Sequence, residues 1–332
     1  MKQYSLLITI LLLLTGISCK KNKDTLPKGP DIYVAGYERK GSVDVAKVWK
    51  NGIVQDLSTG IRHAYALSVF VSGSDVYVAG HEYNGTNNVA QLWKNGIAQP
   101  LSNGSKNAWA RSVFVSGTDV YVAGYEYNGT QNVAKVWKNG VAQILTDGSR
   151  NAYAECVHVS GTDVYVAGSE DNGVRYIPKI WKNGVAQSLG DGTKAIWISS
   201  VYASGSDVYV SGAEANGPVY VAKVWKNGIP QSLTDGTKGA DARSVSVSGN
   251  DVYVAGYEYN GSRTVAKLWK NGIAQILTDG SNTAEARHVY VSGSNTYVAG
   301  FESRVATIWK NGEPQKLSDG TNSVIACAVF AK

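Results

Sequence analysis

The sequence is poor in the residues that enzymes and metalloproteins use most. Methionine occurs once, as Met1, cysteine three times, histidine four times, and charged residues make up only 17% of 332. Three cysteines make no disulfide framework. Cys19 belongs to the leader, while Cys156 and Cys327 fall inside apolar strand patterns of different repeats, at positions that do not correspond. Two buried free thiols are therefore expected. His63, His81, His158 and His288 are scattered without ligand spacing, and no dense Asp-x-Asp cluster accompanies the Asp-Gly corners. That argues against zinc and against calcium, so neither a metal nor a cofactor is expected. Gly-x-Ser-x-Gly, a phosphate loop and a Cys–His pair are all missing. Beyond the leader, no long stretch places apolar residues at helical spacing, which excludes a helical fold.

A net charge of +6 raises the question of nucleic acid, but its distribution answers it. Each repeat carries a Lys in Trp-Lys-Asn-Gly and a Glu in Gly-x-Glu, which cancel. The local excess lies at Lys2, Lys20, Lys21, Lys23 and Lys28. Basic residues spread evenly around a repeat form a solvated surface, and no nucleic-acid partner is expected.

What is abundant is glycine (37), tyrosine (20), tryptophan (9) and valine. This usage suits pleated, half-buried strands joined by tight turns. The sequence predicts an all-β protein.

The first thirty residues read as an address. Met1-Lys2 is a short basic start, Leu6 to Leu14 is an apolar run too short to span a membrane, and Thr15-Gly16-Ile17-Ser18 leads to Cys19. Small residues directly before a cysteine resemble the lipobox of bacterial lipoproteins. That resemblance implies cleavage after residue 18 and lipidation at Cys19, although Gly16 replaces the more usual Leu. Each buried methylene contributes about 0.8 kcal/mol, so several acyl chains would hold a soluble domain on a membrane. Residues 19–30 form the lipidated Cys and a polar, proline-containing tether. Lys20 stands where such lipoproteins carry Asp for inner-membrane retention, so the resemblance implies export to the outer membrane, with the side left open.

Residues 31–332 are one repeat used seven times. The tyrosine of Val-Tyr-Val-Ala-Gly recurs at Tyr33, Tyr77, Tyr121, Tyr165, Tyr209, Tyr253 and Tyr297. The tryptophan of Trp-Lys-Asn-Gly recurs at Trp49, Trp93, Trp137, Trp181, Trp225, Trp269 and Trp309. The last tryptophan comes early because the loop after Glu302 is shorter. One unit contains four predicted strands: Ala110–Val115, Asp119–Tyr125, Val133–Lys138 and Ala142–Leu145. Turn signals at Ser116-Gly117, Asn128-Gly129, Asn139-Gly140 and Thr146-Asp147-Gly148 separate and end them. Four strands in such a length make a propeller blade. The domain enters on a second strand, at Asp31, and finishes at Ala326–Ala331 on a first strand. The prediction is a seven-bladed β-propeller, four antiparallel strands per blade, with the C-terminal strand completing the first blade. A β-solenoid would need no such complementary ends.

The unit is similar to blades of bacterial secreted propeller proteins built on Val-Tyr-Val-Ala-Gly and Trp-Lys-Asn-Gly, over Asp31 to Lys332. It lacks the signatures of WD and kelch repeats. Its Asp-Gly corners resemble the Asp box of sialidases only in part, because the following Trp is absent.

Residues that recur in every repeat read as structural. Glu38, Glu82, Glu126, Glu170, Glu214, Glu258 and Glu302 could form a metal ring or supply acid and base, but chemistry needs groups in different environments. Pairing across the hairpin with Lys47, Lys135, Lys179, Lys223 and Lys267 is the expected role. The tryptophans read as packing between blades, and Asp147, Asp191, Asp235, Asp279 and Asp319 as turn acceptors.

Function is then sought where the repeats differ. At the start of the first strand one position reads Tyr65, Trp109, Tyr153, Trp197, Asp241, Glu285, Ile325. Two residues on it reads Leu67, Arg111, Glu155, Ser199, Arg243, Arg287, Cys327. Aromatics for stacking, with arginines and carboxylates for directional bonds, suit a glycan, a peptide or a protein partner on that face. Tyr65, Trp109, Tyr153, Trp197, Arg111, Asp241, Arg243, Glu285 and Arg287 are the candidate binding residues. A plainer alternative is that they plug the channel, Asp241 pairing with Arg243 and Glu285 with Arg287. The sequence thus reads as a monomeric, lipid-anchored binding or scaffold module of the cell envelope. No catalytic residue is assigned. A polysaccharide hydrolase or lyase is the alternative, with Asp241, Glu285 and Glu155 its only candidate carboxylates.

Overall fold

The computed structural model describes residues 29–190 and 192–332. The segment expected as a signal, Cys19, most of the expected tether and Asp191 lie outside the described residues. Every regular element described is a strand, and the strands form seven four-stranded antiparallel sheets. The fold is a seven-bladed β-propeller.

Blade 3 shows how the repeat folds. Its strands run Ala108–Ser116, Asp119–Tyr127, Asn132–Lys138 and Val141–Ile144, each within two residues of its expected bounds. The turn between the third and outer strands has Asn139 at φ 51° and Gly140 at φ 82°, the two-residue geometry that Asn-Gly favours. Asn139 also works through its side chain. Its Oδ1 accepts from the Val120 amide at 2.8 Å and its Nδ2 donates to Asp119 at 2.8 Å. The Asn128-Gly129 signal, by contrast, starts a longer loop. There Asn128 Oδ1 accepts from the amides of Thr130 (2.9 Å) and Gln131 (2.8 Å).

The C-terminal strand Val324–Ala331 pairs with Ile32–Lys40, from Ile32 opposite Ala331 to Glu38 opposite Val324, and completes blade 1. The Asp31 and Lys332 amides and carbonyls bond each other at 2.7 and 2.9 Å. The remaining six blades follow in order, their inner strands starting at Ala64, Ala108, Ala152, Ile196, Ala240 and Ala284.

Each junction between consecutive blades has its own core, built alike. Between blades 2 and 3, Tyr77, Ala79, Ala90 and Leu92 pack against Ala108, Ala110, Val113 and Trp137. Trp137 is 1% exposed, and all seven tryptophans of this position are as deeply buried. Small residues at Ala108 and Ala110 let the sheets approach closely, and blade 5 holds Ile196 and Ile198 there, both still buried. The Glu–Lys pairs expected across the hairpins form: Lys47 with Glu38 (2.8 Å), Lys223 with Glu214 (2.8 Å), Lys179 with Glu170 (3.5 Å), and Lys135 with Glu126 and Lys267 with Glu258. Four of the Asp corners accept as expected, Asp147 Oδ1 from the Ser149 amide at 2.9 Å and Asp235, Asp279 and Asp319 likewise.

Candidate functional site

Every inner strand carries a β-bulge at the same place, and the bulge builds the site. In blade 3, Trp109 faces Tyr125 and Ala110 faces Gly124, but the next pair is Ser112 with Ala123, so Arg111 has no partner opposite. The extra residues are Leu67, Arg111, Glu155, Ser199, Arg243, Arg287 and Cys327, the second variable set read from the sequence. A bulge shifts the side-chain alternation by one, so residues before and after it can face the same side. The burial pattern shows this: Ala64, Ala66, Val69 and Val71 are buried between blades, while Tyr65, Leu67, Ser68 and Phe70 are partly open. A second consequence falls on the Gly of Gly-x-Glu. A Cβ on Gly124 would lie 1.9 Å from the Trp109 carbonyl oxygen, so only glycine fits beneath the bulge.

Below the bulges, one position supplies a collar of rings: Phe70, Phe114, His158, Tyr202, Tyr290 and Phe330, with Ser246 in the remaining slot. Neighbouring centroids lie 4.3–4.8 Å apart, as for His158 and Tyr202 or Phe70 and Phe330. Above the collar lies a cavity of about 600 Å³. Arg111, Tyr153, Trp197, Asp241, Arg243 and Arg287 of the candidate residues line it, together with Tyr125, Glu155, Ser169, Ser199, Cys156 and Cys327. Both thiols are free as expected but only partly buried, because each lies on the cavity wall and not inside a closed core. Tyr65 and Trp109 stand away from the cavity wall. Tyr65 donates to Asp44 at 2.6 Å and lies 4.9 Å from His81, and Trp109 packs 4.9 Å from Tyr125. Glu285 is likewise off the wall and backs Arg287.

The charged groups are paired, in part as the plugged alternative expected. Arg243 Nε lies 3.1 Å from Asp241 Oδ2 and the Arg287 terminal nitrogen lies 3.1 Å from Glu285. Their guanidinium planes cover the rings of Tyr257 and Phe301, each at 5.4 Å. Arg111 instead reaches across to the next blade and donates from Nε to Glu155 at 2.8 Å. Yet the pairing is incomplete: Asp241 Oδ1 and Arg287 Nε are buried with no hydrogen-bond partner. Burial and nearby Glu285 outweigh Arg243 and hold the Asp241 carboxyl above the usual range. Burial raises the Cys327 thiol against the pull of Arg287 and Arg111. Tyr125 is pushed up to about 12 by burial. Among the described residues, no three His, Cys, Asp or Glu side chains gather as metal ligands would.

Sequence reasoning missed the second-strand contribution. The x of Gly-x-Glu supplies Tyr125, Ser169, Tyr257 and Phe301, and its variation from repeat to repeat was the available signal.

No family model matches the chain, and no curated protein matches it. Solved structures do match. TolB from Acinetobacter baumannii is 12% identical, with a TM-score of 0.51, over 74% of this chain and 62% of that one. An acylaminoacyl peptidase of Pyrococcus horikoshii is 11% identical, with a TM-score of 0.55, over 89% of this chain and 51% of that one. The chain therefore spans less than two thirds of each, and what it shares with them is the propeller fold.

Proposed function

We propose that the propeller is a non-catalytic binding module, held at the cell envelope by a lipid on Cys19, whose ligand enters the mouth of the channel. Of the glycan, peptide and protein partners suited to that face, a saccharide bearing a carboxylate is supported best. The observation that carries this reading is the composition of the cavity wall. Three guanidinium groups face two carboxylates there, Glu155 and Asp241, while serines and the rings of Tyr153 and Trp197 supply the rest. Arg111, Arg243 and Arg287 bring guanidinium charge to the wall for an anionic group, serine hydroxyls can bond those of a sugar, and aromatic faces accept the C–H side of a sugar ring. Screening the purified full chain in detergent against glycan and peptide arrays tests the reading. Acidic-sugar hits that weaken in Arg287→Met and in Trp197→Ala support it, and hits untouched by both variants place the ligand elsewhere. Release of the protein from membranes by Cys19→Ala, with loss of acyl labelling, tests the anchor.

A hydrolase or lyase is the second reading, favoured by one observation: the raised Asp241 carboxyl next to Glu285. The ion pairs on both carboxylates weigh against it. Turnover of envelope polysaccharide lost in Asp241→Asn and Glu285→Gln would establish it.

A further inference from the structure

Departures from the repeat concentrate at the junction of blades 4 and 5. The loop between second and third strands carries Val174 in blade 4, where blades 2, 3 and 6 have Thr86, Thr130 and Ser262. Two residues on stands Tyr176, in place of Asn88, Asn132 and Thr264. In blade 5 the residues flanking Trp197 are Ile196 and Ile198, where blades 2, 3 and 4 have alanine. Val174, Tyr176 and Ile196 line a second cleft of about 350 Å³ together with Asp171, Arg175 and Trp197 among others.

Trp197 belongs to both hollows. Its indole lines the channel cavity and the cleft, and the residue is 50% exposed. Val174, on the cleft wall, is 81% exposed. Aromatic rings link the two hollows across this junction. Tyr153, on the cavity wall, lies 5.6 Å from Tyr176, and Tyr176 lies 6.3 Å from Trp197. No such apolar pair stands open in the matching loops of blades 2 and 3.

Resting on the reading of the mouth as an acidic-saccharide site, we infer that the ligand is a linear oligosaccharide. Its acid-bearing end sits in the channel, and the following units cross Trp197 into the blade 4–5 cleft. A saccharide fits better than a peptide because the cleft offers ring faces fringed by Asp171 and Arg175, while its loop has few amides to spare. Val174 and Arg175 donate their amides to Asn172 Oδ1 at 2.9 and 3.0 Å, and Asn172 donates its own to the Arg175 carbonyl at 3.0 Å.

Calorimetric titration of the full chain with oligogalacturonates of one to four units tests the inference. Affinity should rise with length in the parent protein. The double variant Val174→Thr with Tyr176→Asn restores the residues of blades 2 and 3, so it should fold as they do. It should bind the single unit unchanged and lose about tenfold on the longest, the scale of one aromatic contact. Arg287→Met should weaken every length. Binding of the single unit with no gain from added units overturns the extended site and leaves the mouth reading intact. No binding of any length overturns both. An acidic peptide that binds more tightly, and loses affinity in the same double variant, would replace the saccharide.

Discussion

Arg111 and Glu155 stand 44 positions apart in the chain and one blade apart in the ring, and their side chains meet at 2.8 Å from Nε to Oε2. Each is the bulge residue of its own inner strand, so the pair links adjacent blades across the channel wall. Replacing Glu155 by Gln should act in two directions. Stability should fall by about 1 kcal/mol, since a partly screened charge-assisted bond is weakened. Affinity for an anionic saccharide should rise, because Arg111 is released. Thermal melts and titrations on the same variant check both signs, and a parallel loss of affinity would count against the mouth as an anion site.

Blade closure predicts a second outcome. Ending the chain before Val324 removes the inner strand of blade 1 and exposes the ladder of Ile32–Lys40. Such an edge pairs with other chains. The truncated protein should elute as soluble aggregates rather than as a monomer, with a cooperative melt lost. A monomeric, cooperatively melting product would show that closure is dispensable.

The glycine beneath each bulge is a steric requirement. Gly168→Ala would place a Cβ 1.9 Å from the Tyr153 carbonyl oxygen, and the strand must move to accept it. The expected cost is about 3 kcal/mol, at the upper end for overpacked sites. Gly161→Ala, in a turn with open space around it but φ of +60°, should cost about 1 kcal/mol. Urea midpoints for the two variants give the comparison, and equal costs would mean that the bulge tolerates a side chain.

Buried imidazoles set an acid limit on stability. Burial lowers His158 and His288 to about 4, and burial with the Arg111 charge lowers His81 to about 3. In the unfolded chain these groups take up a proton near the ordinary value of 6.5. Between those limits the unfolded state binds more protons, so stability is full above pH 6.5 and declines as pH falls toward 4. Each contributes a slope on the order of 1 kcal/mol per pH unit in that window. His158→Phe, which copies Phe114 at the same position, should flatten the pH dependence of the urea midpoint. A pH profile unchanged in that variant would assign acid sensitivity to other groups.

The shortened loop of blade 7 offers a gain. Ser303 and Arg304 both hold positive φ, 50° and 71°, where most side chains are strained. Ser303→Asn with Arg304→Gly installs the pair this turn prefers and should raise stability by about 1 kcal/mol, read as a higher melting temperature.

How much of this was legible beforehand follows from what repetition can carry. A fixed period, Asn-Gly turns and alternating apolar residues are local, and a strand or turn is decided by its own few residues. The complementary ends at Asp31 and Ala331 likewise gave the blade number, because three strands at one end and a single strand at the other make up one blade, and a sheet edge must be paired. The site was legible only in part. Variation at Tyr153, Trp197, Arg111, Asp241, Arg243 and Arg287 marked residues that do meet at the cavity, but nothing in a linear pattern announced the bulge. One unpaired residue per inner strand changes which side chains face the axis, and that is a property of two paired strands, not of one. The same holds for Tyr65, drawn off by Asp44 from the preceding blade, and for the junction of Tyr176 with Trp197. The sequence by itself determined seven blades, their order and the Asn-Gly turns into each outer strand. Only the tertiary structure decided which variable side chains share one hollow, because packing brings together residues a whole blade apart.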